Sequence, residues 1–227
     1  VCKHTLKICR QSLHLDSTKH QEHLACTGDY YIESLMTLYC FDDFRLSEFD
    51  IMRTADWLVD NNGRMFHTTY SLIWVQMLHD VYMITGNKAL LTYSEKALDI
   101  LLDRFAGYMG ESGVIETPPD FMFVDWTVID GYTMHHPPKA LGQTVLNAFY
   151  YEALSVTRII RTRFILRRST HLLRYTPLPY ESMPQSYALH MNTSAQNKIF
   201  DLKSSNFVRV QGRGSRKACR LSMTMTQ

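Results

Sequence analysis

The sequence predicts an all-α protein made of successive helical hairpins. Apolar residues recur every three or four positions over long stretches, Asp, Asn and Gly punctuate the junctions between those stretches, and strand-like alternation is weak. Helical hairpins in series build either an α/α toroid or a superhelical repeat protein. A repeat protein would show the same residues at a fixed period of about 34–47. Comparison of the three helix pairs shows no such recurrence, which weakens the repeat reading.

Taken in order, the first pair runs over 29–41 and 46–60, joined at Asp42-Asp43 and closed by Asn61-Asn62-Gly63, whose residues tolerate the positive φ of a helix exit. The clearest stripe follows: Tyr70, Ile73, Trp74, Met77, Leu78, Val81 and Tyr82, with Gln76, His79 and Asp80 on the other side. Gly86-Asn87 ends it. The next helix places Leu90, Ala97, Leu98, Leu101, Phe105 and Tyr108 inward and keeps Glu95, Lys96, Asp99, Asp103 and Arg104 in water, which completes an antiparallel hairpin. An irregular segment with Pro118-Pro119 and Pro137-Pro138 leads to a third long helix near 139–160, faced by Leu146, Phe149, Tyr150, Ala153 and Leu154. The faint strand signals fall at 113–116 and 121–124.

Composition narrows the function classes. The 227 residues are 45% hydrophobic, enough for a core, and no apolar run approaches the roughly 20 residues that span a bilayer. No membrane association is expected, and localisation stays open. The five cysteines, Cys2, Cys9, Cys26, Cys40 and Cys219, are odd in number and lack the short paired spacings of a zinc module, so reduced, mostly buried thiols are expected. His20, His23 and Cys26 could share a helical face, but no fourth ligand cluster follows and no metal site is expected.

The net charge of +2 conceals two unlike parts. Residues 1–155 hold 11 basic and 20 acidic residues, whereas 156–227 hold 13 and 2. We therefore divide the chain into a helical domain, 1–155, and an unpatterned basic tail, 156–227, where a shifted reading frame or misjoined gene model would explain the loss of period and of charge balance together. The tail's basic and aromatic residues are scattered without motif, so no nucleic-acid partner is expected. The start at Val1, within amphipathic chain, leads us to expect further sequence upstream.

A helical scaffold carries its chemistry on irregular connections. The segment from Leu15 to Asp29 brings Asp16, Glu22 and Asp29 onto one loop ahead of a tyrosine-rich helix. Glycoside cleavage needs one carboxylic acid to protonate the departing oxygen and a second carboxylate to activate water or attack carbon. On spacing alone the ordinary reading is the favoured one: a turn at Asp16, a solvated Glu22 and a helix cap at Asp29.

The pattern Asp16, Glu22, Cys26-Thr-Gly-Asp29 resembles the acid-rich active-site loop of glycoside hydrolase family 78, the α-L-rhamnosidases. The resemblance runs from about Thr5 to Leu154 and includes, in order, Tyr70-Ser-Leu-Ile-Trp74, Phe123-Val-Asp-Trp126 and the helix from Leu146 to Leu154. It implies part of an (α/α)6 six-hairpin barrel and inverting hydrolysis of terminal α-L-rhamnosides without a cofactor. It makes Glu22 the general acid, gives Asp16 and Asp29 to rhamnose hydroxyls, and adds Cys26, Trp74, Asp125 and Trp126 to the sugar site. Cys26 stands where many members carry a tryptophan, and Thr18 where related loops often have proline. The family's glutamate base and its neighbouring histidine come from later hairpins and have no match here. The resemblance therefore implies a rhamnose-containing glycoside or oligosaccharide as partner, and little activity from this chain alone; a non-catalytic helical carbohydrate-binding or scaffold protein, or another six-hairpin glycosidase, is the alternative reading.

Overall fold

A computed structural model describes residues 2–17, 26–116, 121–135, 137 and 139–162, without the side chains of 139–142. The described residues form six helices and one small hairpin: α1 (Cys2–Cys9), α2 (Thr27–Cys40), α3 (Arg45–Asp60), α4 (Thr68–Thr85), α5 (Lys88–Ala106), β1 (Val128–Ile129), β2 (Tyr132–Thr133) and α6 (Lys139–Ile160). The expected helical character holds. Helices pack chiefly on the next helix but one, so that α2, α4 and α6 form one row and α3 and α5 a second. Contacts between chain neighbours join the rows, and α1 lies against α2.

The junction chemistry explains the hairpins. Asp43 accepts from the Arg45 amide at 3.2 Å and pairs with its guanidinium at 2.9 Å, which turns the chain between α2 and α3. Asn62 (φ 52°) and Gly63 (φ 76°) leave α3 through the left-handed region. At Gly63 a Cβ would stand 3.1 Å from the Ile100 carbonyl and from Leu101 Cα, so the end of α3 lies directly on α5. Gly86, also left-handed, ends α4 by donating to the Tyr82 carbonyl at 2.7 Å. Asn87 then caps α5, its side-chain oxygen accepting from the Ala89 amide at 3.1 Å.

Helix α4 departs from the expected one-sided stripe. Leu72, Trp74, Val75, Met77, Leu78 and Val81 are all buried, Gln76 is only 5% exposed, and His79 and Asp80 are half-buried. Packing by α2, α3, α5 and α6 leaves it little solvent. Leu90, Leu91, Ala97, Leu98, Leu101, Leu102 and Phe105 of α5, with Leu146, Tyr150, Ala153 and Ile160 of α6, belong to the same core. Large apolar side chains remain outside on α2, where Ile32, Met36 and Tyr39 are exposed along one stripe.

Two expectations about boundaries change. Helix α6 passes through 155–156 without a break, Val156 and Ile160 are buried, and Arg161 pairs with Asp99 of α5. The helical unit thus continues beyond residue 155, whereas the tail from 163 onward lies outside the described residues. The strand is also elsewhere: β1 and β2 pair antiparallel about Asp130 (φ 50°) and Gly131 (φ 81°), a two-residue turn that needs positive φ at both positions. The 113–116 stretch makes only an isolated bridge, Met109 with Ile115. Of the described cysteines, Cys9 and Cys26 are buried and Cys2 and Cys40 exposed, and none of these four forms a disulfide. No described helix is long and apolar enough to cross a membrane.

Trp74 is fully buried, and its indole N–H donates to the Ile51 carbonyl at 3.1 Å. Replacing Trp74 with Ala should cost about 3–5 kcal/mol of stability in urea unfolding, whereas Trp126→Ala, at an exposed position, should cost less than about 1 kcal/mol.

Candidate functional site

The site is built upward from a buried polar node at His14, two residues before Asp16. His14 is fully buried and its ring is held from both sides: Nδ1 lies 2.5 Å from Asp50 Oδ2 and Nε2 lies 2.9 Å from Thr37 Oγ1. The His14 amide also approaches Asp50 Oδ2, at 3.4 Å, while Thr54 Oγ1 donates to the Asp50 carbonyl at 2.8 Å. A segment with no regular structure of its own is thereby fixed to α2 through Thr37 and to α3 through Asp50. Burial pushes the Asp50 carboxyl up, against the opposing effect of His14. Asp16 follows two residues later and is exposed.

On the other side of residues 18–25 the chain re-enters as α2. The helix begins at Thr27, so Asp29 sits in its first turn rather than capping it from outside. A carboxylate there is favoured by the positive end of the helix dipole. Gly28 faces the Tyr70 ring so closely that a Cβ would stand 2.7 Å from Tyr70 Cζ, which sets the start of α2 against the start of α4.

One turn beyond Asp29 comes Glu33, which the sequence reading did not single out. It is only 8% exposed, and its Oε2 has no hydrogen-bond partner among the described residues. Burial first, then the charges of Asp29, Asp16 and Asp50, push its carboxyl up to about 8. Burial, Glu33 and Asp16 likewise push the Cys9 thiol up. Electrostatically, Asp16 and Asp29 therefore meet at Glu33, although 13 positions separate them in the chain.

Aromatic groups gather at the start of α4. Thr68 Oγ1 donates to the Phe121 carbonyl, and Thr69 Oγ1 to that of Phe123 at 2.9 Å, so two side chains of the first turn hold the incoming 121–126 segment. Phe123 is buried and stacks on His67 with centroids 4.0 Å apart. Tyr70 meets both rings edge-on, at 5.0 and 5.4 Å. Trp126 packs edge-on to Phe123 at 5.2 Å and beside His135 at 5.4 Å, yet stays 67% exposed. The exposed Asp125 accepts from the Trp126 amide at 2.6 Å. Through Tyr70, this aromatic group adjoins the Gly28-Asp29 end of α2.

The residues expected in the site thus divide. Asp16 and Asp29 share one electrostatic environment, and Asp125 and Trp126 lie together at the exposed end of the aromatic group. Glu22, the proposed acid, lies outside the described residues, as do His20 and His23. Two assignments are corrected. Trp74 belongs to the core, because the α4 stripe that carries it is enclosed, and cannot wall a ligand. Cys26, 6% exposed, also joins the core at the entry to α2. A four-residue step from Asp29 along one helical face was the signal that could have revealed Glu33.

A second polar group bridges α2 and α4: Tyr31 donates to Asp80 Oδ2 at 2.6 Å, and His79 Nδ1 lies 2.8 Å from Asp80 Oδ1. Among the described residues no group of three or more His, Cys, Asp or Glu is arranged to hold a metal ion. An open groove lined by Lys7, Arg10, Asp43, Arg45 and Phe49 includes none of the expected site residues. Compared with protein-family models, with curated proteins and with solved structures, the chain matches none.

Because the folded chain holds the Glu33 proton to about pH 8 and an unfolded chain releases it near 4.5, this group disfavours folding increasingly as pH rises from about 4.5 to 8. Glu33→Gln should therefore raise Tm at pH 8.5 by on the order of 5 °C and change it little at pH 4.5, as thermal unfolding across that range will show.

Proposed function

We propose that this chain is the acid-bearing part of an inverting glycoside hydrolase acting on terminal α-L-rhamnosides. The observation that supports the reading most directly is that burial, with the charges of Asp29 and Asp16, favours a proton on the Glu33 carboxyl near neutral pH, one helical turn from Asp29. Glycosidase acids need such an environment, because the protonated form must persist where the enzyme works. The exposed face of Trp126, reached through the rings at the start of α4, suits the apolar C–H and methyl surface of a deoxy sugar. The two helix rows, with each helix packed on the next but one, are compatible with part of an (α/α)6 toroid.

In this mechanism Glu22 is the general acid, on the strength of its place in the loop motif between Asp16 and Asp29. It protonates the departing glycosidic oxygen while the two aspartates hold ring hydroxyls. Inversion requires a base about 6.5–9.5 Å from the acid with water between them. We assign that base to none of the residues described, so the proposal gives this chain substrate binding and the proton donor, and places the base on further hairpins of a longer polypeptide.

The test is hydrolysis of p-nitrophenyl α-L-rhamnoside by this chain and by a version extended through its flanking coding sequence. The extended enzyme should be active, its Glu22→Gln variant should lose about 10²–10⁴ in kcat, and the 227-residue chain should be nearly silent. Full activity in Glu22→Gln would refute the acid assignment, and turnover of other glycosides but not rhamnosides would refute the sugar.

A further inference from the structure

We propose that the open groove between the end of α1 and the start of α3 binds a phosphomonoester whose organic group is aromatic. The groove measures about 570 Å³, a size in the range of small-molecule sites, and its wall offers two kinds of surface. Lys7, Arg10 and Arg45 supply positive charge, while Leu46 and the exposed ring of Phe49 supply an apolar side. The proposal does not depend on the glycosidase reading.

The two guanidinium groups are held in place before any ligand arrives. Arg45 donates from Nε and Nη2 to the Asp43 carboxylate at 2.9 Å each. Arg10 Nη2 donates to the Asp43 backbone carbonyl at 3.2 Å and lies 3.7 Å from Asp43 Oδ2. One residue therefore anchors both. Arg10 also lies over the Phe41 ring, 4.6 Å from its centroid. The Arg45 side chain is 89% exposed, so its Nη1, outside the fork on Asp43, is open to an incoming anion. Groups fixed in advance lose less freedom on binding. Hydrogen bonds from Arg45 hold the Asp43 carboxyl well below the usual carboxylate range, so it stays ionised. One negative charge against three positive ones leaves the groove positive.

That sign stands out against the surrounding chain. Residues 1–155 hold 20 acidic and 11 basic residues, yet five of the eleven gather here. Beside the three that line the groove, Lys3 stands 5.3 Å from the Phe41 ring and Arg53 5.6 Å from the Phe49 ring. Arg45 and Leu46, the first residues of α3, add the positive end of its dipole. A phosphomonoester brings about two negative charges and three acceptor oxygens, matched to several cations at once. A carboxylate brings one charge and two oxygens. An aromatic ester group would rest on Phe49, ring against ring.

The experiment titrates phenyl phosphate, inorganic phosphate and benzoate into the full 227-residue chain by calorimetry, with circular dichroism confirming the fold of each variant. Phenyl phosphate should bind saturably below about 1 mM, and benzoate at least about tenfold more weakly. Lys7→Gln and Arg45→Gln, both at exposed positions, should each weaken phenyl phosphate by about threefold or more, and together by about tenfold or more. Lys96→Gln, the same charge change on the exposed side of α5, should leave it within about 1.5-fold of wild type. Phe49→Ala should weaken phenyl phosphate about threefold and leave inorganic phosphate unchanged, as loss of a ring contact would. Absence of saturable phenyl phosphate binding overturns the proposal. So does binding that survives Lys7→Gln with Arg45→Gln, which would assign it to basic residues elsewhere, or benzoate binding as tight as that of phenyl phosphate. A short peptide of glutamates and phenylalanine that binds more tightly than phenyl phosphate would show a peptide groove and overturn it as well.

Discussion

Helix α4 has almost no free surface, and that constraint organises everything around it. A helix enclosed by α2, α3, α5 and α6 must be apolar nearly all round, and the polar atoms it does carry must be met by neighbours. Trp74 shows how this is done: its ring fills the space toward α3, and its one polar atom finds the Ile51 carbonyl. At the first turn of α4, Thr68 and Thr69 spend their hydroxyls on the 121–126 segment instead of on solvent. The site residues inherit their positions from this centre. Gly28 admits the Tyr70 ring, which sets α2 beside α4, and Phe123 stacked on His67 carries Trp126 to the rim.

The acid-rich segment is held by a different device. Residues 10–17 lack a helix or strand to fix them, and a fully buried imidazole does that work by joining a carboxylate of α3 to a hydroxyl of α2. The same burial that makes the His14–Asp50 contact firm also makes unbalanced charge costly nearby. Glu33 shares that interior, and its raised carboxyl is the electrostatic counterpart of the well-satisfied pair below it. A structural node and a candidate chemical group are therefore products of one buried environment.

Much of the helical architecture could be read from the sequence because it depends on short-range periodicity. The Tyr70–Tyr82 stripe, the α5 face and the exits at Asn62-Gly63 and Gly86 all follow from residues within a few positions of one another. Features set by distant neighbours were harder to read. Trp74 is as consistent with a sugar wall as with a core until α3 is placed against it, and Cys26 looks like part of a loop until the first turn of α2 buries it. The hairpin at Asp130-Gly131 went unread, because its flanking strands have only two residues each, too few for alternation to stand out. Glu33 escaped notice because a glutamate within a helix is ordinarily solvated. Only burial, and the charge of Asp16 on a separate segment, sets it apart.

The connection between α5 and α6 contains an asymmetry that bears on how such a chain can change over time. Asn147 of α6 uses one side-chain amide to accept from the Ile115 N–H at 2.8 Å and donate to the Ile115 carbonyl at 2.9 Å, satisfying both backbone groups as a neighbouring strand would. Inserted residues between Met109 and Ile115 would pull that clamp out of register, and substitution of Asn147 would orphan two backbone groups at once. Drift in length is thus disfavoured on the approach to Ile115. Among the described residues the exposed turn at Asp130-Gly131 carries no comparable tether, and is a place in this connection where lineages could add or lose residues while leaving the helical core in place.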